Sequence, residues 1–297
     1  MYPASFNYHR PATLQEALRL LKQFAGEATI MSGGQSLVPM MKLRVGEFSD
    51  VVDIGRLPGL SHIEQRGNTV HIGALARHAQ IASSDIAQQL PLLRDIAGGI
   101  ADKQVRSMGT IGGGISIADP VGCWPCGLRT LRANVVCTGP GGNRTISVDD
   151  FILGSYATSM ETDEIVTEIQ FTVPQGSHGG AYVAFKRAAP AYPTVAAGLM
   201  LELDGDTCSR VRIVLGGAGT TTIVSDEAEA ILVGKAVTET QLQRAGEAIV
   251  AAAAPSPDAR GTELFKRAML RSLVVDAGQR ALARARGEKI KGGHRYA

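Results

Sequence analysis

A chain of 297 residues with 44% apolar content has material for roughly two or three cored domains of about 100–150 residues. With 30 basic against 28 acidic residues the net charge is +2, and only 5% of residues are aromatic. That balance excludes an electrostatic nucleic-acid binder, which needs a basic stripe, and a base-stacking platform. No apolar run approaches the ~20 residues that span a bilayer. The opening residues Met1-Tyr2-Pro3-Ala4-Ser5-Phe6 lack the charged and apolar regions of a signal peptide. The expected location is the cytoplasm, with the four cysteines kept as thiols.

Thr13 and Glu16 have capping-box spacing, and Leu14, Ala17, Leu18 and Leu21 follow at helical period. Residues 28–31 read as a short strand running into the glycine turn Ser32-Gly33-Gly34-Gln35-Ser36, and residues 49–54 read as another strand. The first 55 residues are therefore expected to form a small αβ unit. From about Leu60 the pattern turns strand-rich. Residues 60–64 and 69–72 flank the hairpin signal Arg66-Gly67-Asn68. Helices are expected to open at Arg77 and to cover residues 90–97. A second glycine turn, Gly109-Thr110-Ile111-Gly112-Gly113-Gly114, precedes Ala118-Asp119-Pro120. Strands are expected over 134–138, 144–148 and 164–169.

Residues 175–180, Gln-Gly-Ser-His-Gly-Gly, form a polar break and the clearest boundary. Three strands are expected beyond it (181–186, 196–203 and 209–215). Two helices should follow, one after the capping pair Thr238 and Gln241 and one over about 263–286. In the last, Leu270, Leu273, Val274 and Ala277 supply the apolar face. The organisation reads as 1–55, 56–176, 177–290 and a basic tail, 291–297.

The two glycine turns carry most of the chemistry. Each lets bare backbone N–H groups approach a ligand closely, and a pair of them points to a clamp around a diphosphate. Neither matches the G-x-G-x-x-G of a Rossmann unit or the G-x-x-x-x-G-K-[ST] of a P-loop. Cys123-Trp124-Pro125-Cys126 has C-x-x-C spacing. It reads as two partly buried helical thiols, as a redox pair, or as two ligands of a metal site for which Cys137 and Cys208 offer no second pair. None of the six histidines has ligand spacing, and all read as surface or core residues.

These motifs, in this order, resemble the FAD-binding medium subunits of the molybdenum hydroxylases. That family includes the carbon monoxide dehydrogenase flavoprotein and the flavin domain of xanthine dehydrogenases. The resemblance rests on Gly33-Gly34-Gln35-Ser36-Leu37 with Pro39-Met40-Met41-Lys42, and on Arg106-Ser107-Met108-Gly109-Thr110-Ile111-Gly112-Gly113. Gly154-Ser155-Tyr156, Phe185-Lys186-Arg187 and residues 261–267 support it. It implies an α+β fold: a two-lobed FAD-binding domain of the PCMH, or molybdenum hydroxylase flavoprotein, type. A C-terminal three-stranded antiparallel sheet with helices completes it.

The resemblance further implies FAD as cofactor, with no catalytic acid or base and no metal held by this chain. The partners implied are a [2Fe-2S] small subunit and a molybdenum cofactor large subunit, as a dimer of heterotrimers. By the same resemblance Ser32, Gly33, Gly34, Gln35, Ser36 and Leu37 would wrap the diphosphate. Thr110, Ile111, Gly112, Gly113 and Gly114 would approach it from the other side. Relatives commonly carry Ser or Asn at the position of Gly114 and an acid at that of Cys123. Asp119 is either a turn anchor or a flavin contact. Lys186 and Tyr192 fall where relatives have a lysine and an aromatic beside the flavin ring. Ile165 and Val166 match an apolar pair on the adenine, and Ile100 is a further contact. Rival readings are a stand-alone flavin oxidoreductase, which needs a proton donor by the ring, and a scaffold subunit without FAD.

Overall fold

The computed structural model describes residues 2–24 and 26–290; the expected tail, 291–297, lies outside them. The first unit holds β1 (Asn7–His9), α1 (Leu14–Gln23), β2 (Ala28–Met31), α2 (Leu37–Leu43) and β3 (Asp50–Asp53). Its sheet is wholly parallel, in the order β1-β3-β2. The Thr13 hydroxyl accepts the Glu16 N–H at 3.1 Å, and the Glu16 carboxylate accepts the Ala12 N–H at 2.8 Å. Ala17 and Leu21 of α1 are buried with Val52 and Ile54 in a small core.

Next come β4 (Ile63–Arg66) and β5 (Thr69–Gly73), joined at the expected hairpin. Six short helices follow: α3 (His78–Ser83), α4 (Asp85–Gln89), α5 (Pro91–Gly98), α6 (Lys103–Met108), α7 (Ile111–Ser116) and α8 (Cys123–Thr130). Then come β6 (Asn134–Gly139), β7 (Gly142–Ser147), α9 (Val148–Phe151), β8 (Ile152–Gly154), β9 (Ala157–Thr158) and β10 (Ile165–Thr172). The late strand β10 enters the middle of an antiparallel sheet ordered β4-β5-β10-β6-β7. Its inward residues Ile169 and Phe171 meet Ile72, Leu93, Ile96 and Trp124 in the largest core.

The last unit contains β11 (His178–Phe185), β12 (Val195–Asp204), β13 (Thr207–Gly216), β14 (Ile223–Val224), α10 (Asp226–Leu232), α11 (Glu239–Ala251) and α12 (Glu263–Ala285). Three long antiparallel strands carry one extra two-residue strand, β14, at the edge. Leu270, Leu273, Val274 and Ala277 of α12 are buried, as expected, whereas Leu264 is 78% exposed.

Three expectations are corrected. The second glycine motif is not a turn: Gly112, Gly113 and Gly114 lie inside α7, which the Thr110 hydroxyl caps by accepting the Gly113 N–H at 3.2 Å. The polar break stops short of residue 180, because His178, Gly179 and Gly180 already belong to β11. There α12 presses on the strand so closely that a Cβ on Gly179 would lie 2.0 Å from the Ala281 carbonyl oxygen. Helix α10 was not foreseen; its seven residues are too few for a periodic signal, and it is set by its Ser225 cap.

Candidate functional site

The first glycine motif leaves β2 at Met31, and Gly34 takes a left-handed φ of +70° before α2 begins at Leu37. That reversal turns the N–H groups away from the usual helical and sheet partners. Among the described residues, none of the N–H groups of residues 32–37 donates to a protein acceptor. Buried or half-buried N–H groups are nearly always paired. A run of six free ones is a nest for an anion.

The second motif works differently, and the expectation that it too offers bare N–H groups is corrected. Ile111 donates to the Ala76 carbonyl at 3.1 Å, Gly112 to that of Ala74 at 2.9 Å, and Gly114 to that of Thr110 at 3.0 Å. Its glycines serve close packing instead. A Cβ on Gly112 would stand 2.6 Å from the Ala74 Cβ, and one on Gly113 would stand 2.7 Å from the Ser32 hydroxyl oxygen. The two motifs touch directly. Gly33 lies under the Met108 carbonyl, and the Ser32 and Thr110 hydroxyls share a hydrogen bond of 3.0 Å.

Between them opens a cavity of about 490 Å³. Ser32, Gly33, Gly34, Gln35, Ser36, Leu37, Thr110, Gly112, Gly113 and Gly114 line it, with Ile165 and Val166 closing one end. Among the described residues neither lysine nor arginine lines it. Ile111 does not reach it; its side chain is fully buried in the large core.

Ile100, Asp119, Lys186 and Tyr192 form a second group outside that lining. Lys186 Nζ donates to the Gly99 carbonyl, beside Ile100, whose own carbonyl accepts from Arg106 at 2.9 Å. Burial lowers the Lys186 pKa, opposed by the neighbouring Cys123 and reinforced by Arg106. Asp119 anchors its turn by accepting the Val121 N–H at 3.0 Å. Tyr192 reaches the Ser36 side chain and so joins this group to the first motif; burial raises its pKa.

Three non-glycine residues in left-handed conformations ring the second group: Ala101 (φ +43°), Ala118 (φ +45°) and Tyr156 (φ +57°). Each costs on the order of 1–3 kcal/mol, and such strain clusters at functional sites. The Tyr156 N–H donates to the Ala118 carbonyl at 3.0 Å, which locks two of them together.

Both departures noted in the sequence have packing reasons. A Cβ on Gly114 would lie 2.4 Å from Trp124 Cδ1, so no polar side chain fits there. Cys123 is buried against Tyr182 and Lys186. Burial raises its pKa and that of Cys126. Both thiols are buried, and that burial disfavours the thiolate a redox pair would use. No group of three His, Cys, Asp or Glu side chains converges on a metal position among the described residues. All four cysteines are expected to resist a water-soluble aromatic disulfide in the native protein and to react in denaturant. Rapid native labelling of Cys123 or Cys126 would contradict this.

Among the cavity-wall residues that local sequence did not single out is His78. His78 is only 5% exposed, yet it lines the cavity, and its Nδ1 faces the Trp124 Nε1 at 3.2 Å. Nothing in the local sequence signals this, because the two residues are 46 positions apart. Burial, helped by Arg106, pushes its pKa down to about 4. The unfolded chain then binds the extra proton between pH 6.5 and about 4. Stability that is present above pH 6.5 falls as the pH drops through that window, by about 1.4 kcal/mol per unit. Unfolding free energies measured across it should lose that part of their slope in His78→Phe; equal slopes would count against it.

The fold and cavity define a two-lobed cofactor-binding protein with a third, sheet-and-helix unit against it. Residues 4–175 match the FAD binding domain in molybdopterin dehydrogenase, and residues 180–281 match the CO dehydrogenase flavoprotein C-terminal domain. The chain belongs to this family of FAD-binding molybdopterin dehydrogenase proteins. It is 38% identical over 285 residues to the carbon monoxide dehydrogenase medium chain of Hydrogenophaga pseudoflava, covering 96% of this chain and 99% of that one. It is 36% identical to the 6-hydroxypseudooxynicotine dehydrogenase complex subunit alpha of Paenarthrobacter nicotinovorans, covering 97% and 98%. A solved carbon monoxide dehydrogenase from Hydrogenophaga pseudoflava, lacking the Mo-pyranopterin moiety, superposes with a TM-score of 0.93 at 39% identity, covering 96% and 99%.

FAD is the cofactor of the family, and the residues present fit it. The free N–H row suits a diphosphate, and the apolar pair Ile165 and Val166 suits a purine face. No helix among the described residues is long and apolar enough to cross a membrane.

Proposed function

We propose that this chain is the FAD-containing electron-transfer subunit of a molybdenum hydroxylase complex. In this reading it takes electrons from a [2Fe-2S] subunit and passes them to an external acceptor. Its partners are that small subunit and a molybdenum cofactor large subunit, assembled as a dimer of heterotrimers in the cytoplasm. Residues 1–55 and 56–176 form the two lobes of the FAD-binding domain, and 177–290 form the flavoprotein C-terminal domain.

The single observation that carries the reading is the unpaired N–H row of residues 32–37 along the wall of the cavity. FAD, when bound, supplies the exchange between one-electron and two-electron carriers. The chain's residues have narrower tasks. Residues 32–37 hold the diphosphate. Thr110, Gly112, Gly113 and Gly114 bring the opposite wall within reach. Ile165 and Val166 bury the adenine. Ile100, Asp119, Lys186 and Tyr192 surround the ring end, where the Lys186 ammonium favours negative charge on the flavin. Ile111 acts from behind, by packing the second motif.

The test is purification of the chain with the products of neighbouring genes, followed by flavin and iron analysis. One FAD per chain, bleached when the iron–sulfur centres are reduced, is the expected result. An FAD-loaded chain that turns over a substrate without any iron–sulfur partner would favour the stand-alone oxidoreductase. A complex without flavin would leave only the scaffold.

A further inference from the structure

The Trp124 indole has a donor and no acceptor, so the atom it faces must accept. At 3.2 Å that atom is His78 Nδ1. The imidazole proton therefore sits on Nε2 while the ring is neutral. Two features leave that Nε2–H open. Among the described residues it has no protein acceptor. The backbone beside it also lacks a side chain: a Cβ on Gly109 would stand only 2.6 Å from Nε2. His78 and Gly109 both line the cavity. Nε2 keeps some access to the cavity, so an oxygen of a ligand lying there can accept from it.

We propose that His78 is a neutral, tautomer-fixed hydrogen-bond donor to an oxygen of FAD where the dinucleotide passes the second glycine motif. Trp124 is its positioning residue. This deepens the function proposed above and rests on it. The second motif spends the N–H groups of residues 111–114 inside the protein. The imidazole supplies the donor that those groups do not. Gly114 belongs to the same device, since only a residue without Cβ leaves room for the Trp124 ring.

The experiment uses the full chain in the assembly that retains flavin, with histidine labelled by nitrogen-15. Before FAD is added, the His78 resonances should show a protonated Nε2 and a bare Nδ1. On addition of FAD the Nε2–H signal should move. Titration of FAD into flavin-depleted His78→Phe should show affinity lowered about ten- to a hundred-fold. Trp124→Phe should give a smaller loss together with a mixed tautomer signal. A proton on Nδ1, an Nε2 signal unmoved by FAD, or unchanged affinity in a folded His78→Phe overturns the inference. A wild-type assembly that takes up no FAD sinks the function proposed above instead, and this inference with it.

Discussion

Gly33→Val is expected to abolish FAD retention. The reason is contact between the two motifs rather than contact with the ligand. A Cβ at Gly33 would lie 2.3 Å from the Met108 carbonyl oxygen and 2.8 Å from the Gly109 Cα. Both are backbone atoms, so no side chain can swing aside. Relief requires one lobe to shift against the other, which breaks the hydrogen bond between Ser32 and Thr110 and distorts the free N–H row. Overpacking of this kind costs roughly 1–3 kcal/mol or more. The cavity wall bears that cost, since Ser32, Gly33, Gly109 and Thr110 all line it. The flavin absorbance per polypeptide, with circular dichroism to confirm folding, checks the outcome. Full stoichiometry would mean that the lobes close without this contact.

The second large effect concerns stability. Arg284 on α12 reaches Asp95 on α5 at 2.6 Å, and the two are 6% and 1% exposed. The Arg284 guanidinium also donates to the Gly180 carbonyl at 2.7 Å, and Asp95 accepts the Tyr182 N–H at 3.3 Å. Arg284→Met removes the guanidinium from beside a buried carboxylate. Breaking one side of such a pair costs about 3–5 kcal/mol, whereas replacing both partners with apolar groups is often neutral. Urea denaturation should therefore show a large loss in Arg284→Met and recovery of most of it in the Asp95→Leu, Arg284→Met double variant. Additive losses in the double variant would show that the two residues stabilise the fold independently.

What the sequence revealed follows the range of the forces involved. The Thr13 cap, the hairpin at residues 66–68 and the strands running into Gly33 are local, and local chemistry specifies them. Helix α7 was misread because three glycines weaken a helix by about 1 kcal/mol each relative to alanine. The Thr110 cap and the carbonyls of Ala74 and Ala76 override that preference, and they come from tertiary structure. Gly179 and Gly180 looked like a linker for the same reason, since their partner, α12, begins more than eighty residues later. In the site, the place of residues 32–37 on the cavity wall was legible because a glycine pair after a strand marks a turn where the backbone comes close to its neighbours. His78 was not. Its role depends on Trp124 and Gly109, and neither lies close enough in sequence to make a pattern.

The ion pair on α12 also bears on how the chain is made. Asp95 leaves the ribosome 189 residues before its only close guanidinium among the described contacts. At about 5–20 residues per second, that is a wait of roughly 10–40 s. During it the helix carrying Asp95 would dock beneath β11 without the Arg284 guanidinium beside its carboxylate. The N-terminal half therefore emerges first, and its α5 is expected to gain this contact only when the end of α12 arrives.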